Sequence, residues 1–114
     1  MDLPSFSEWT AETLEERARS AGMPVLVVFW TDQGTPDDGL ASILEAVAKD
    51  YAGRAAFAQI EARHPPGLAG ALEFPDTPAV AVFDGPTRVA YRAGVAPRWV
   101  YEDMLDSALI AYTV

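Results

Sequence analysis

The side chains of this sequence that could do chemistry are few, and most of them gather in one stretch. Asp32, Asp37 and Asp38 lie close together just ahead of an apolar helical stripe, and neighbouring carboxylates suit either acid/base work or a hard cation. Three carboxylates fall short of the roughly six to eight oxygens that calcium takes, and no acidic run has EF-hand spacing. A structural role accounts for them better. Thr35 can cap a helix, Pro36 suits its first position, and Asp38 can reach back to the cap. An acid there is worth about 0.3–1 kcal/mol against the positive end of the helix. Left exposed, the same aspartates would form an acidic rim able to attract an arginine-bearing peptide.

His64, the only histidine, precedes Pro65-Pro66-Gly67 and is read as a turn residue with its ring in water. Without a serine or cysteine partner in a recognisable motif it is a weak proton-transfer group. The chain has no cysteine, which removes every disulfide, thiolate nucleophile and cysteine-based metal site, and a single histidine leaves the common zinc sets incomplete. No catalytic residue, metal or cofactor is therefore expected.

Acidic residues number 17 against 8 basic ones, a formal charge of −9, and Lys49 is the only lysine. Phosphate recognition depends on Lys and Arg displacing counterions, so nucleic acid is not an expected partner. The longest apolar run, Val25 to Trp30, is far shorter than the ~20 residues that cross a bilayer. Met1-Asp2-Leu3-Pro4-Ser5 begins acidic with no apolar stretch behind it, unlike a signal peptide. The expectation is a cytoplasmic protein with no membrane partner. With 114 residues, half of them hydrophobic, the chain can bury one core, and residues 1–114 read as one ordered domain.

Thr10 ahead of Ala11-Glu12-Thr13-Leu14 predicts a helix running to about Ser20, stopped by Gly22 and Pro24. Val25-Leu26-Val27-Val28-Phe29-Trp30 is a continuous β-branched and aromatic run, the pattern of a central strand covered on both faces. Leu40, Ile43, Leu44, Val47, Ala48 and Tyr51 form one helical stripe ending at Gly53. Ala55 to Ile60 reads as a second strand and Pro66 to Glu73 as a short helix. Ala79 to Phe83 and Arg88 to Arg92 flank Asp84-Gly85-Pro86-Thr87 as a hairpin. Tyr101, Leu105, Ala108, Leu109 and Tyr112 make the stripe of a last helix. The sum is an α/β fold with a mixed central sheet flanked by helices.

Phe29-Trp30, Pro36 at a helix start, Tyr51 and Gly53 at its end, the Thr77-Pro78 step before an apolar strand, Phe83 and Gly94 together resemble thioredoxin, from about Gly22 to the last helix. The resemblance implies a thioredoxin-like fold. It also implies that the thiols of the Cys-x-x-Cys motif are replaced by Gly34 and Asp37, that the family's buried acid corresponds to Val28, and that its lysine partner falls on Gln59. In that fold Trp30 packs beneath the helix start, while Trp9 and Trp99 are read as partly exposed. Pro78 falls where thioredoxins hold a cis proline. A cis bond there would turn the backbone of Thr77 outward to pair with an extended peptide, the alternative being a kink at the start of a strand. A narrower resemblance is to thioredoxin-fold hydrogenase-assembly chaperones, which lack the two cysteines. Thr35-Pro36-Asp37, Thr77-Pro78-Ala79 and Gly94-Val95-Ala96-Pro97-Arg98-Trp99 are similar to their motifs.

The expectation is a redox-inactive protein, not an enzyme, that binds another polypeptide bearing a basic segment through Trp30, Asp32, Gly34, Thr35, Pro36, Asp37, Asp38, Thr77, Pro78, Gly94 and Val95. The chaperone resemblance implies the twin-arginine signal region of a hydrogenase small subunit as that partner. Two alternatives stand beside it. One is an enzyme using the carboxylates, with or without a metal. The other is a structural module that dimerises through the last helix at Trp99 and Tyr101.

Overall fold

The computed structural model describes residues 3–30, 38–61 and 78–113. The run read as a central strand is one: β2 (Val25–Trp30) lies in the middle of a five-stranded sheet. Its sides alternate. Val25, Val27 and Phe29 join the cluster beneath α1 (Ala11–Ser20), whereas Leu26 and Val28 join the cluster beneath α2 (Asp38–Asp50) and α3 (Arg98–Thr113). Neither side meets water, so no polar residue interrupts the run.

The sheet order is β1-β3-β2-β4-β5, with β1 (Ser7–Glu8), β3 (Ala56–Glu61), β4 (Ala79–Asp84) and β5 (Thr87–Ala93). β3 runs parallel to β1 and β2, and β4 runs antiparallel to β2 and β5. This mixed sheet with helices on both faces is the predicted architecture. The second strand sits one residue later than expected, and the two-residue β1 is an addition that sequence periodicity could not show. The short helix expected over Pro66 to Glu73 and the cap at Thr35 lie outside the described residues.

Local signals decide the element ends. The backbone N–H of Thr10, itself in extended conformation, donates to Thr13 Oγ1 at 3.2 Å and so satisfies a polar group at the head of α1. From that helix Leu14 and Ala18, one turn apart, enter the core. On α2 the buried stripe is Leu40, Leu44, Val47 and Ala48, continued by Tyr51. In the two-residue loop of the β4–β5 hairpin, Gly85 adopts φ +59°, the positive value that such tight connections require.

Tyr101, Leu105 and Ala108 form the buried stripe of α3. Tyr101 is fully buried and its hydroxyl accepts the Ala96 N–H at 3.0 Å, which ties the turn after β5 to the helix that follows. Tyr101 therefore belongs to the core and cannot be part of an interaction surface, because helical spacing puts it in phase with Leu105. Trp99, two residues earlier, points to solvent. Among the described residues no helix is long and apolar enough to cross a membrane.

Polar contacts close the α2–α3 seam above this core. Arg98 pairs with Asp50 and, through Nε at 2.9 Å, with Glu102, while the Tyr51 hydroxyl donates to Asp106 at 2.7 Å. The Tyr51 pKa is pushed up to about 12, first by burial, then by its hydrogen bond to Asp106 and the charges of Asp106 and Glu102, with Arg54 opposing. A phenol whose folded pKa exceeds its unfolded one gives stability that is intact below pH ~10 and lost as pH rises toward the folded value, because the unfolded chain releases its proton first. The stability advantage of wild type over Tyr51→Phe, measured by urea unfolding, should thus shrink between pH 10 and about 12. An advantage that stays constant across that window would refute the assignment.

Candidate functional site

Strand register builds the site. Phe29 pairs with Ala79 as the last rung of the antiparallel β2–β4 ladder, and Trp30 and Pro78 are the next residues of the chain beyond that rung. On the other side of β4, the Gly94 N–H donates to the Pro78 carbonyl at 2.8 Å. Trp30, Pro78 and Gly94 therefore form a row across the ends of three adjacent strands. Pro78 has no N–H to give the ladder, which suits the margin of a sheet. Gly94 turns the chain with φ +77°, a conformation that side-chain-bearing residues rarely adopt. Val95 follows and is half exposed.

Trp30 is partly buried and packs against the cluster that α2 and α3 share. Its indole Nε1 is buried yet has no hydrogen-bond partner among the described residues. Buried donors are nearly always satisfied, which singles this atom out among the described residues. Asp38 is the first residue of α2. Asp32, Gly34, Thr35, Pro36, Asp37, Thr77 and His64 lie outside the described residues, and with them the cis-proline reading of the Thr77–Pro78 bond.

Deeper in the sheet, Val28 of β2 is in register with Gln59 of β3. These are the two positions at which the resemblance to thioredoxin places a buried acid and its lysine. Val28 is fully buried and Gln59 nearly so. The Gln59 amide donates through Nε2 to the carbonyls of Leu3 and Phe6, both at 3.2 Å, and its main-chain carbonyl accepts the Trp9 N–H at 2.9 Å. Phe6 packs edge-on against Phe57, with ring centroids 5.4 Å apart, and Glu45 accepts both the N–H and the hydroxyl of Ser5 at 2.9 and 2.7 Å. In this chain Val28 belongs to the apolar core and Gln59 is a staple for the N-terminal segment. The sequence carried one sign of it, a glutamine flanked by Ala58 and Ile60 within the strand.

Among the described residues no group of three or more His, Cys, Asp or Glu is placed to hold a metal ion. A shallow apolar depression lined by Pro24, Gly53, Leu109 and Ile110 borders the start of β2, at the opposite end of that strand from Trp30.

No family model matches the chain. Individual proteins do. Chloroplastic thioredoxin M4 of Arabidopsis thaliana is 30% identical over 106 residues, 93% of this chain and 52% of that protein. Thioredoxin C-2 of Corynebacterium nephridii is 29% identical over 89 residues, 78% of this chain and 82% of that one. Thioredoxin 1 of Chlorobaculum tepidum is 27% identical over 101 residues, covering 89% and 97%. The chain spans about half the length of the chloroplast relatives it matches. Fold and similarity agree: this is a distant thioredoxin homologue over most of its length, with a thioredoxin-like α/β fold and no Cys-x-x-Cys motif. Disulfide exchange needs an attacking thiolate, and this chain has none to offer.

The Gln59 staple has a measurable worth. Gln59→Leu keeps the packing volume but removes the side-chain donor to the Phe6 carbonyl and leaves the Leu3 carbonyl only the Phe6 N–H at 3.0 Å, a loss of about 1–3 kcal/mol. Urea unfolding should register that loss, and amide exchange at Phe6 and Trp9 should quicken. Unchanged stability and exchange would show that the staple contributes nothing.

Proposed function

We propose that this chain is a thioredoxin-like domain without redox chemistry that binds another polypeptide at the sheet end formed by Trp30, Pro78, Gly94 and Val95. Asp32, Gly34, Thr35, Pro36, Asp37, Asp38 and Thr77 complete the proposed surface. The observation that carries the reading is the row of Trp30, Pro78 and Gly94 at the margin of three strands. An extended segment can add to such a margin by main-chain hydrogen bonds to Thr77, with Trp30 and Val95 supplying apolar contact. The chain's formal charge of −9 and the aspartates near the head of α2 favour a partner segment that is basic.

The finer form of this reading is an assembly chaperone for a hydrogenase small subunit, engaging its twin-arginine signal region. Its support is the resemblance at Thr35-Pro36-Asp37, Thr77-Pro78-Ala79 and Gly94 to Trp99.

The test is a titration of the nitrogen-15-labelled chain with a synthetic twin-arginine signal peptide of a hydrogenase small subunit, beside a peptide of scrambled order. Amide resonances of Trp30, Ala79, Gly94 and Val95 should move with the signal peptide, and binding should weaken with added salt and in Asp37→Lys. Resonance changes confined to other surfaces would defeat the peptide site. Affinity indifferent to salt and to Asp37→Lys would defeat the acidic rim, and equal binding of the scrambled peptide would defeat the hydrogenase assignment.

A further inference from the structure

Trp99 is 67% exposed, an unusual place for the largest apolar side chain. It stands in the first turn of α3, and Asp103, also exposed, follows one turn later. Residues four apart on a helix carry their Cβ atoms about 5–6 Å from each other on one face. That face is opposite the buried stripe of Tyr101, Leu105 and Ala108.

The neighbouring charges are already engaged. Arg98 is held by Asp50 and Glu102, and Asp106 accepts the Tyr51 hydroxyl. Asp103 and Trp99 have no such partner among the described residues: the ion pairs and hydrogen bonds of α3 pass Asp103 by, and the ring contacts pass Trp99 by. The helix therefore presents a bare indole face and a bare carboxylate one turn apart.

We propose that Trp99 and Asp103 together bind an arginine side chain of the partner polypeptide, its guanidinium stacked on the indole and its N–H edge paired with the carboxylate. This deepens the peptide-binding reading, on which it rests only in taking the partner to be a polypeptide. The chemistry selects the occupant. An apolar partner covering Trp99 would desolvate Asp103 without compensation. A second copy of this chain docking face to face would bring Asp103 against its own like charge, in a molecule already at −9. A guanidinium satisfies both groups at once: its plane stacks on an aromatic face and its fork of donors fits a carboxylate, which the compact ammonium of lysine does less well.

The probe is a decapeptide of glycine and serine carrying two arginines, compared with versions in which both are lysine or citrulline. Nuclear magnetic resonance follows the Trp99 indole N–H. The arginine peptide should shift that resonance saturably, lysine should bind several-fold more weakly and citrulline should not bind. Trp99→Ala and Asp103→Asn, both surface changes, should each lower affinity about two- to thirty-fold. An indole resonance that stays still, or affinity equal in wild type and both variants, overturns the inference. If the Trp30 and Gly94 resonances respond to the arginine peptide while Trp99 does not, this inference fails and the peptide site at the strand ends stands. If Trp99 responds to the arginine peptide while Trp30 and Gly94 ignore the signal peptide, the reverse holds.

Discussion

β2 must be covered on both faces, and the rest of the molecule is arranged to do it. Its five fully or nearly fully buried residues, Val25 to Phe29, alternate between two clusters. A helix is therefore needed on each side of the sheet, which α1 supplies on one and α2 with α3 on the other. A register slip of one residue would carry Phe29 from the α1 side into the space filled by Leu40, Leu44 and Leu105. The same constraint fixes where β2 ends. Pairing of Phe29 with Ala79 brings Trp30 and Pro78 to the same end of the sheet, so the candidate site inherits its place from the packing of the core.

Val28 and Gln59, which the resemblance to thioredoxin matches to a buried acid and its lysine, put no ionisable group at this rung of the sheet. A buried carboxylate is costly to hold charged, and its reward in thioredoxin-like chemistry is proton transfer to a thiol. With no cysteine in the chain there is no proton to move. Valine carries no such cost, and glutamine donates to two carbonyls of the N-terminal segment. The result is a buried rung that holds a fixed shape and has no ionisable side chain to pass protons.

The surface charges divide in a similar way. Along the α2–α3 seam, Asp50, Arg98, Glu102 and Asp106 answer one another or Tyr51. Such exposed pairs add little stability each. Their consequence is selective: they engage the polar groups of the seam, whereas Trp99 and Asp103 face outward on the other side of α3. Apolar surface at Val95 and Trp99 thus borders both the strand margin and the start of α3.

The elements were largely legible from residue order, because each carries its own period. The alternation hidden in Val25 to Trp30, the stripe from Leu40 to Tyr51, the Gly85 turn and the spacing of Tyr101, Leu105 and Ala108 are local patterns, and local patterns are set by backbone geometry alone. The absence of thiol chemistry was equally plain, since no folding can supply a missing sulfur. Much of the candidate site was not legible. Gln59 meets Leu3 and Phe6 across separations of 56 and 53 residues, and the two-residue β1 exists only because β3 offers it an edge. The adjacency of Trp30, Pro78 and Gly94 depends on how three strands align. The burial of Tyr101 against the exposure of Trp99 depends on which face of α3 the sheet receives. Sequence determined the elements and the chemistry denied to them, whereas only the tertiary structure decided which distant residues meet, because contacts between elements follow from register and packing, not from any period within one segment.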